Sequence, residues 1–217
     1  MAGRFRIIAG ASVAAGLALA SYPIWRSRSL TWGATPDEVA SNLPGDELMP
    51  DAAIVTTRAI EISASPDCIW PWLVQMGSGR AGDYSYDWVE NLLGLDTHSA
   101  KVILPQFQDV KLGDEFGFSG HRTVRVEILK PEQAYVRRLS DGTWVSIFAL
   151  VCDNGTTRLV NRNRYAAPSK SAPSRVALSM LLEQGSLLLQ RKMLLGIKER
   201  AELLATERDL AARAPRR

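Results

Sequence analysis

The segment from residue 80 to residue 91 holds the densest group of polar and aromatic side chains in the chain. It reads RAGDYSYDWVEN. A tyrosine offers a ring and a hydroxyl, and an arginine recognises carboxylate or phosphate groups. One hypothesis is that Tyr84, Tyr86 and Glu90 border a ligand site, with Arg80 contacting a polar head group. The other is structural: Asp87 caps the following helix, and the aromatic side chains hold the loop against the rest of the domain.

A tryptophan-rich helix is expected just before this segment, and a strand with large aromatic residues is expected later. Trp72, Gln75 and Met76 are candidates to line a ligand cavity, although tryptophans on a helix also suit a core. Gln75 stands out because a buried amide must find hydrogen-bond partners. On the strand, Trp144 and Phe148 share one face, because side chains alternate along a strand.

Three arginines follow one another at a period of two residues, at positions 158, 162 and 164, with Val160 between them. They therefore lie on one face of a predicted strand. That face could simply be solvated. Alternatively, Arg162 and Arg164 could bind an anionic head group or a carboxylate.

Composition excludes several classes of function. The 217 residues include 26 basic and 23 acidic side chains, so the net charge of +3 does not indicate a nucleic-acid binder. Two histidines and two cysteines make a metal site unexpected. No phosphate-binding glycine loop and no nucleophile elbow is present. We therefore expect no metal, no cofactor and no nucleic-acid partner, and we assign no catalytic residue.

Hydrophobic patterning predicts one α+β domain between residues 53 and 210. A strand over residues 53–63 precedes helices over 67–76 and 86–93. Five strands then follow, at residues 114–119, 122–129, 134–139, 143–152 and 156–165, joined by tight turns such as Asp141-Gly142 and Asn154-Gly155. A long helical pattern covers residues 173–210, and residues 211–217 form a basic tail. Residues 29–52, rich in proline and acidic side chains, are a connector with one short helix at Pro36.

The N-terminal segment, residues 1–28, is predicted to contact a membrane. Residues 7–25 carry no charge and lie between arginines, and about 20 apolar residues are needed to span a bilayer. A retained single-pass anchor is one interpretation. A signal peptide cleaved after Ala18-Leu19-Ala20, giving a secreted protein, is the second. A buried core helix is the third.

These residues resemble the SRPBCC superfamily, which includes START lipid-transfer and polyketide-cyclase-like proteins. The similarity is carried by WPWLVQMGSGRAGDYSYDWVENLLGLDTHSA and by WGATPDEV, LPGDEL, LGDEF and RKMLLGIK, and it spans about residues 31–202. The resemblance implies a helix-grip fold, in which a curved antiparallel sheet wraps around a long C-terminal helix, preceded here by one N-terminal hydrophobic helix. It also implies a hydrophobic pocket whose mouth borders residues 80–91. Asp83 departs from the family, where an apolar residue is expected.

Three functions follow from the resemblance. The first is binding, and by extension transfer, of a hydrophobic small molecule such as a lipid, isoprenoid or polyketide near a membrane. The second is a cyclase- or hydrolase-like enzyme, which would rest on Arg80, Tyr84, Glu90 and His98. The third is an interaction module whose grip is filled by side chains. A pocket carboxylate with a perturbed pKa would favour the enzyme, and a solid core would favour the module.

Overall fold

The computed structural model describes residues 25–92, 94–167 and 172–213, with the side chains of residues 172–182 and 184 outside that description. In chain order, the helices are α1 (Pro36–Ala40), α2 (Pro66–Val74), α3 (Asp87–Leu92) and α4 (Ala172–Arg213), with 3₁₀ turns at Asp46–Leu48 and Pro105–Phe107. The strands are β1 (Ile54–Ile62), β2 (Glu115–Gly117), β3 (Thr123–Lys130), β4 (Ala134–Leu139), β5 (Trp144–Asp153) and β6 (Thr156–Tyr165).

The six strands form one antiparallel sheet in the order β1-β6-β5-β4-β3-β2. Four tight connections build the meander from β2 to β6, and β1 closes it by pairing with β6. At the β5–β6 turn, Asn154 and Gly155 have φ values of 49° and 82°. A two-residue turn with both residues at positive φ matches the twist of the strands, and the Asn-Gly pair was the predicted signal for it.

The helices α2 and α4 lie on one side of this sheet, which we call the helix side. The main core lies there, where Ile62, Leu159 and Phe148 of the sheet meet Leu194 and Ile197 of α4. Burying these apolar faces stabilises the layered arrangement at about 25 cal/mol per Å² removed from water. The long helix is thereby held across the sheet, as predicted.

The connector covers the opposite, outer side of the sheet. Leu43 packs against both outer clusters, which are built from Ala59, Ala149 and Val160 and from Val136, Val145 and Ile147. Gly45 permits this closeness, because a Cβ there would stand 2.7 Å from a Val136 methyl group. The predicted short helix at Pro36 is present as α1, with Thr35 and Glu38 forming a reciprocal capping box.

The α+β helix-grip prediction is confirmed in its sheet and its C-terminal helix, with element ends shifted by a few residues. Strand β2 is shorter than predicted, at three residues. Within the described part of the chain, no helix is both long and apolar enough to cross a bilayer. The hydrophobic run over residues 7–25, predicted as an anchor or signal, lies outside the described residues except for Trp25.

Candidate functional site

The helix side of the sheet is apolar at one end and polar at the other. One ladder row joins Ile60, Leu159 and Leu150 across three strands. Four residues further along β1, a second row of paired residues on the same face runs across five strands. Its members are Thr56, Asn163, Ser146, Arg137 and Val126. The apolar end faces the C-terminal half of α4. A ligand in this fold would therefore meet its polar partners near the second row.

The apolar end is filled by side chains. Trp72, Met76 and Phe148, which the sequence suggested as cavity-lining residues, are at most 4% exposed and belong to the main core. Trp72 packs edge-on against Tyr84, with ring centroids 5.9 Å apart. Trp72 and Phe148 are thus packed within the core, and Met76 in addition lines the small cavity described below.

Gln75 and Tyr84 form a buried hydrogen-bonded pair. The Gln75 Nε2 donates to the Tyr84 hydroxyl at 2.9 Å, and that hydroxyl donates to the Trp72 carbonyl at 3.0 Å. The Gln75 Oε1 accepts from the Leu104 N–H at 2.9 Å and from Gln108 Nε2 at 3.0 Å. The Gln75 amide therefore has hydrogen-bond partners within the protein. Through them it links the end of α2 to the segment around residue 104.

Arg80 is enclosed between two aromatic rings. Its guanidinium carbon lies 4.4 Å from the Phe107 ring centroid and 4.0 Å from that of Phe116. Its Nη2 donates to the carbonyls of Val74 and Phe107. Burial lowers the pKa of Arg80, yet the group stays cationic. These contacts join the loop that carries Arg80 to α2 and to the segments around Phe107 and Phe116.

Arg162 and Arg164 lie on the outer side, away from the helix side. Arg162 Nη1 and Arg164 Nη1 reach the two oxygens of Asp46 at 2.5 and 3.0 Å. Both guanidinium groups also donate to connector carbonyls. An open groove of about 770 Å³ lies beside them, but these contacts bind its arginines to the protein. The three-arginine stripe, including Arg158 on Glu38, clamps the connector.

The enclosed polar cluster consists of Asp83, Glu90, Tyr135 and Arg137. Asp83 Oδ1, Glu90 Oε2, Tyr135 Oη and Arg137 Nε are shut off from solvent and have no hydrogen-bond partner among the residues that the structure describes. The same is true of three further atoms, Trp72 Nε1, Arg80 Nε and Thr97 Oγ1. Glu90, Tyr135 and Arg137 are buried as whole side chains, and Asp83 is partly exposed although its Oδ1 is enclosed. Each unpaired buried polar atom costs about 1–3 kcal/mol, so four together are a costly arrangement.

A small cavity opens beside this cluster. Its volume is about 20 Å³, which is room for about one water molecule. Asp83 and Arg137 line it on one side, and Phe116, Phe118 and Trp144 give it aromatic walls. Trp144 lies 5.6 Å from Phe118 between ring centroids and donates from Nε1 to Asn163. Of the residues suggested from the sequence, both Met76 and Trp144 border this cavity.

Electrostatics set the two carboxyl groups apart from ordinary surface acids. Burial raises the pKa of Asp83, and the Arg137 charge lowers it by less. Burial also raises the pKa of Glu90 to about 7, with repulsion from Asp83 and Asp87 adding to the shift. Burial raises the pKa of the Tyr135 hydroxyl. A carboxyl with a pKa near 7 can donate or accept a proton at neutral pH.

The remaining predicted residues have other positions. Tyr86 is half-buried at the start of α3, where its carbonyl accepts from the Val89 and Glu90 N–H groups. The Asp87 carboxylate accepts from Ser99, both from its N–H and from its hydroxyl. His98 is exposed. In the described parts of the chain, no group of three histidine, cysteine or acidic side chains is placed to hold a metal ion.

Tyr135 and Arg137 are the site residues that sequence reasoning missed. A signal was present, since Tyr135, Arg137 and Leu139 alternate on one face of β4, and a face bearing Tyr and Leu is expected to be buried. Asp83 had been noted only as a departure from the family. In the structure it lies beside Arg137 at the cavity.

No protein-family model matches the sequence, and no curated protein matches it. Solved structures with a similar fold include MLL2253 from Mesorhizobium loti, which is 16% identical over 70% of this chain and 97% of that protein, with a TM-score of 0.36. The polyketide-cyclase-like protein Cgl2372 from Corynebacterium glutamicum is 13% identical over 75% and 97%, with a TM-score of 0.34. BH1534 from Bacillus halodurans is 9% identical over 71% and 98%, with a TM-score of 0.41.

Similarity at this level carries no information on a ligand or a reaction. The sheet order and the long C-terminal helix reproduce the helix-grip layout expected from the sequence. The fold is therefore an antiparallel sheet gripped by a long C-terminal helix. The function has to be argued from the site itself.

Proposed function

We propose that this domain binds a small organic molecule whose polar end meets the enclosed polar cluster. The observation that carries the proposal is the set of four enclosed atoms without partners, on Asp83, Glu90, Tyr135 and Arg137, beside a cavity. Folded proteins pair more than nine in ten of their buried polar groups. A ligand that supplies hydrogen-bond partners to these atoms offsets the free-energy cost of burying them unpaired.

The ligand requires a local opening of the domain, because the cavity admits about one water molecule. Strand β2 provides the simplest route. It is three residues long, lies at the sheet edge and pairs only with β3. Phe116 and Phe118 on this segment wall the cavity, so an outward movement of β2 enlarges it, at the cost of the β2–β3 hydrogen bonds and of the contact between Phe116 and Arg80. The apolar core between α2 and α4 stays intact.

This arrangement distinguishes the proposal from a filled interaction module. The solid apolar end, with Ile62, Leu159 and Ile197 fully buried, would suit a module with no ligand. A module gains nothing from leaving buried polar atoms unpaired at the other end. The polar cluster therefore favours a ligand over a protein-only core.

The test is native mass spectrometry of the protein purified from its own host, followed by solvent extraction of any adduct. Arg137→Gln removes the cationic member of the cluster, and Arg138→Gln is a matched control because Arg138 points to the outer side of the same strand. We expect a stoichiometric adduct on the wild type and on Arg138→Gln, and its loss from folded Arg137→Gln. An adduct retained by Arg137→Gln, or no adduct together with no binding of any member of a fragment library, would overturn the proposal.

Acid–base catalysis in the same site is a second candidate, favoured by one specific observation. Asp83 and Glu90 are two carboxyls whose pKa values are both raised by burial, that of Glu90 to about 7. A general acid or base with such a pKa is typical of active sites. Turnover of the extracted ligand by the wild type, lost in Glu90→Gln while binding remains, would establish the enzyme. Binding of the ligand without turnover would favour a binding protein over an enzyme.

A further inference from the structure

The domain contains three fully buried arginines that can be compared with one another. Arg58 is 0% exposed, Arg162 is 3% exposed and Arg137 is 6% exposed. An arginine cannot lose its charge inside a protein, so each of these groups needs compensating partners. The three arginines differ in whether the described part of the protein supplies hydrogen-bond acceptors for the guanidinium group.

Arg58 and Arg162 are saturated. Arg58 donates to the Ser29 and Glu183 carbonyls, to Gln190 Oε1 and to the Ser186 hydroxyl. Arg162 donates to Asp46, to the Thr57 hydroxyl and to three connector carbonyls. The fold is thus able to supply a buried guanidinium with oxygen acceptors wherever the cation has only a structural role.

Arg137 is different. Among the described residues, it forms no hydrogen bond and no ion pair, and its contacts are with the rings of Tyr135 and Phe148, 5.5 and 5.7 Å from its guanidinium carbon. Asp83 lines the same cavity, and the Arg137 charge acts on it by lowering its pKa, but the two side chains form no direct hydrogen bond through Asp83 Oδ1 or Arg137 Nε. Ring faces attract a cation but contribute less than a carboxylate partner. Among the described residues, Arg137 Nε is thus an enclosed donor that an external acceptor could satisfy.

We propose that the ligand is a planar aromatic acid, and that Arg137 binds its carboxylate while Phe116, Phe118 and Trp144 stack on its rings. This inference rests on the proposed function and names its ligand class. The anion is favoured over a cation because the permanent charge in the cluster is positive, whereas Asp83 and Glu90 can take up protons. The flat body is favoured because three aromatic side chains line the cavity, and aromatic groups pack against one another in stacked or edge-on arrangements.

The experiment uses three probes with one carbon skeleton: 2-naphthoate, 2-naphthamide and 2-naphthylmethylamine. Affinities are measured by calorimetry on the full chain, and amide chemical shifts identify the site. We expect 2-naphthoate to bind wild type at least about tenfold more tightly than either neutral or cationic probe, because a charge-assisted pair is lost in both. Arg137→Gln should remove this preference, Arg138→Gln should keep it, and the shifts should centre on Gly77, Ser78 and Gly117.

Other outcomes separate the two proposals. Equal affinity for all three probes, unchanged in Arg137→Gln, would overturn the proposal that the ligand is an aromatic acid. The proposal that the domain binds a small molecule would remain. Tighter binding of the amine overturns the aromatic acid as well and assigns recognition to Asp83 and Glu90. If the protein carries a native adduct but binds none of the probes, the aromatic acid is wrong. If it has neither adduct nor probe binding, the proposed function fails with it.

Discussion

The backbone of α4 at Gly196 lies directly against the carbonyl oxygen of Tyr84. A Cβ added at residue 196 would stand 2.5 Å from that oxygen and 2.9 Å from the Tyr84 Cβ. Tyr84 itself is held at a φ of 56°, in the left-handed region that non-glycine residues seldom adopt. The missing side chain on the helix thus allows the loop that carries Asp83 and Tyr84 to pack directly against α4.

Gly196→Ala should therefore destabilise the domain, although alanine is the better helix former by about 1 kcal/mol. The clash is with backbone, so the loop must move, and we expect a net loss of about 1–3 kcal/mol in the free energy of unfolding. Gly185→Ala in the same helix is the control. Among the described residues, nothing lies within 4 Å of a Cβ there, so stability should rise by up to about 1 kcal/mol. Urea denaturation of both variants decides, and equal gains would refute the close packing.

Gln75→Leu should reduce stability without changing ligand selectivity. The substitution removes acceptors for the Leu104 N–H and for Gln108 and leaves the Tyr84 hydroxyl without its donor. Unpaired buried groups of this kind cost about 2–4 kcal/mol in total. Gln106→Leu is an exposed control that should change stability by less than about 0.5 kcal/mol. If Gln75→Leu instead alters which probe binds while melting normally, Gln75 contacts the ligand.

Sequence patterns were sufficient for the fold because its determinants are local. Asn154-Gly155 specifies a hairpin, and the alternating strands and the long helix, with apolar residues broadly on one side, specify the layers. The site was harder to predict. Periodicity placed Arg162 and Arg164 on one face of β6, but it cannot say which face meets the helices, and that choice depends on long-range pairing with Asp46. A buried arginine without a partner, such as Arg137, has no local signature at all.

Glu90 should make the domain less stable as the pH rises through the neutral range. Its pKa is raised from 4.5 to about 7, so the folded state holds the proton more tightly than the unfolded chain does. The stabilisation is fully present below pH 4.5, declines between pH 4.5 and about 7, and is absent above. Glu90→Gln should flatten this decline in thermal melts across that range, by an amount on the order of 2–3 kcal/mol.

Glu207→Gln is the control for this pH dependence, since Glu207 is an exposed residue near the end of α4. Its profile should follow that of the wild type. A Glu90→Gln profile with the same slope as wild type would show that Glu90 ionises normally in the folded protein. It would also remove the support that Glu90 gives to acid–base catalysis.

Arg137→Met should stabilise the ligand-free domain while weakening ligand binding. The wild type buries a cation that has ring contacts and no carboxylate partner among the described residues, and desolvating such a group costs more than the rings return. Methionine fills similar space against Tyr135 and Phe148 without that cost. We expect the free energy of unfolding to rise by about 1–2 kcal/mol, because sites built for binding are often less stable than an apolar replacement.

Arg138→Met, on the outer side of β4, should give little change, and denaturant melts of the two variants provide the comparison. A stability loss in Arg137→Met that exceeds the loss in Arg138→Met would show that Arg137 holds the fold together, and the case for an external acceptor would then fail.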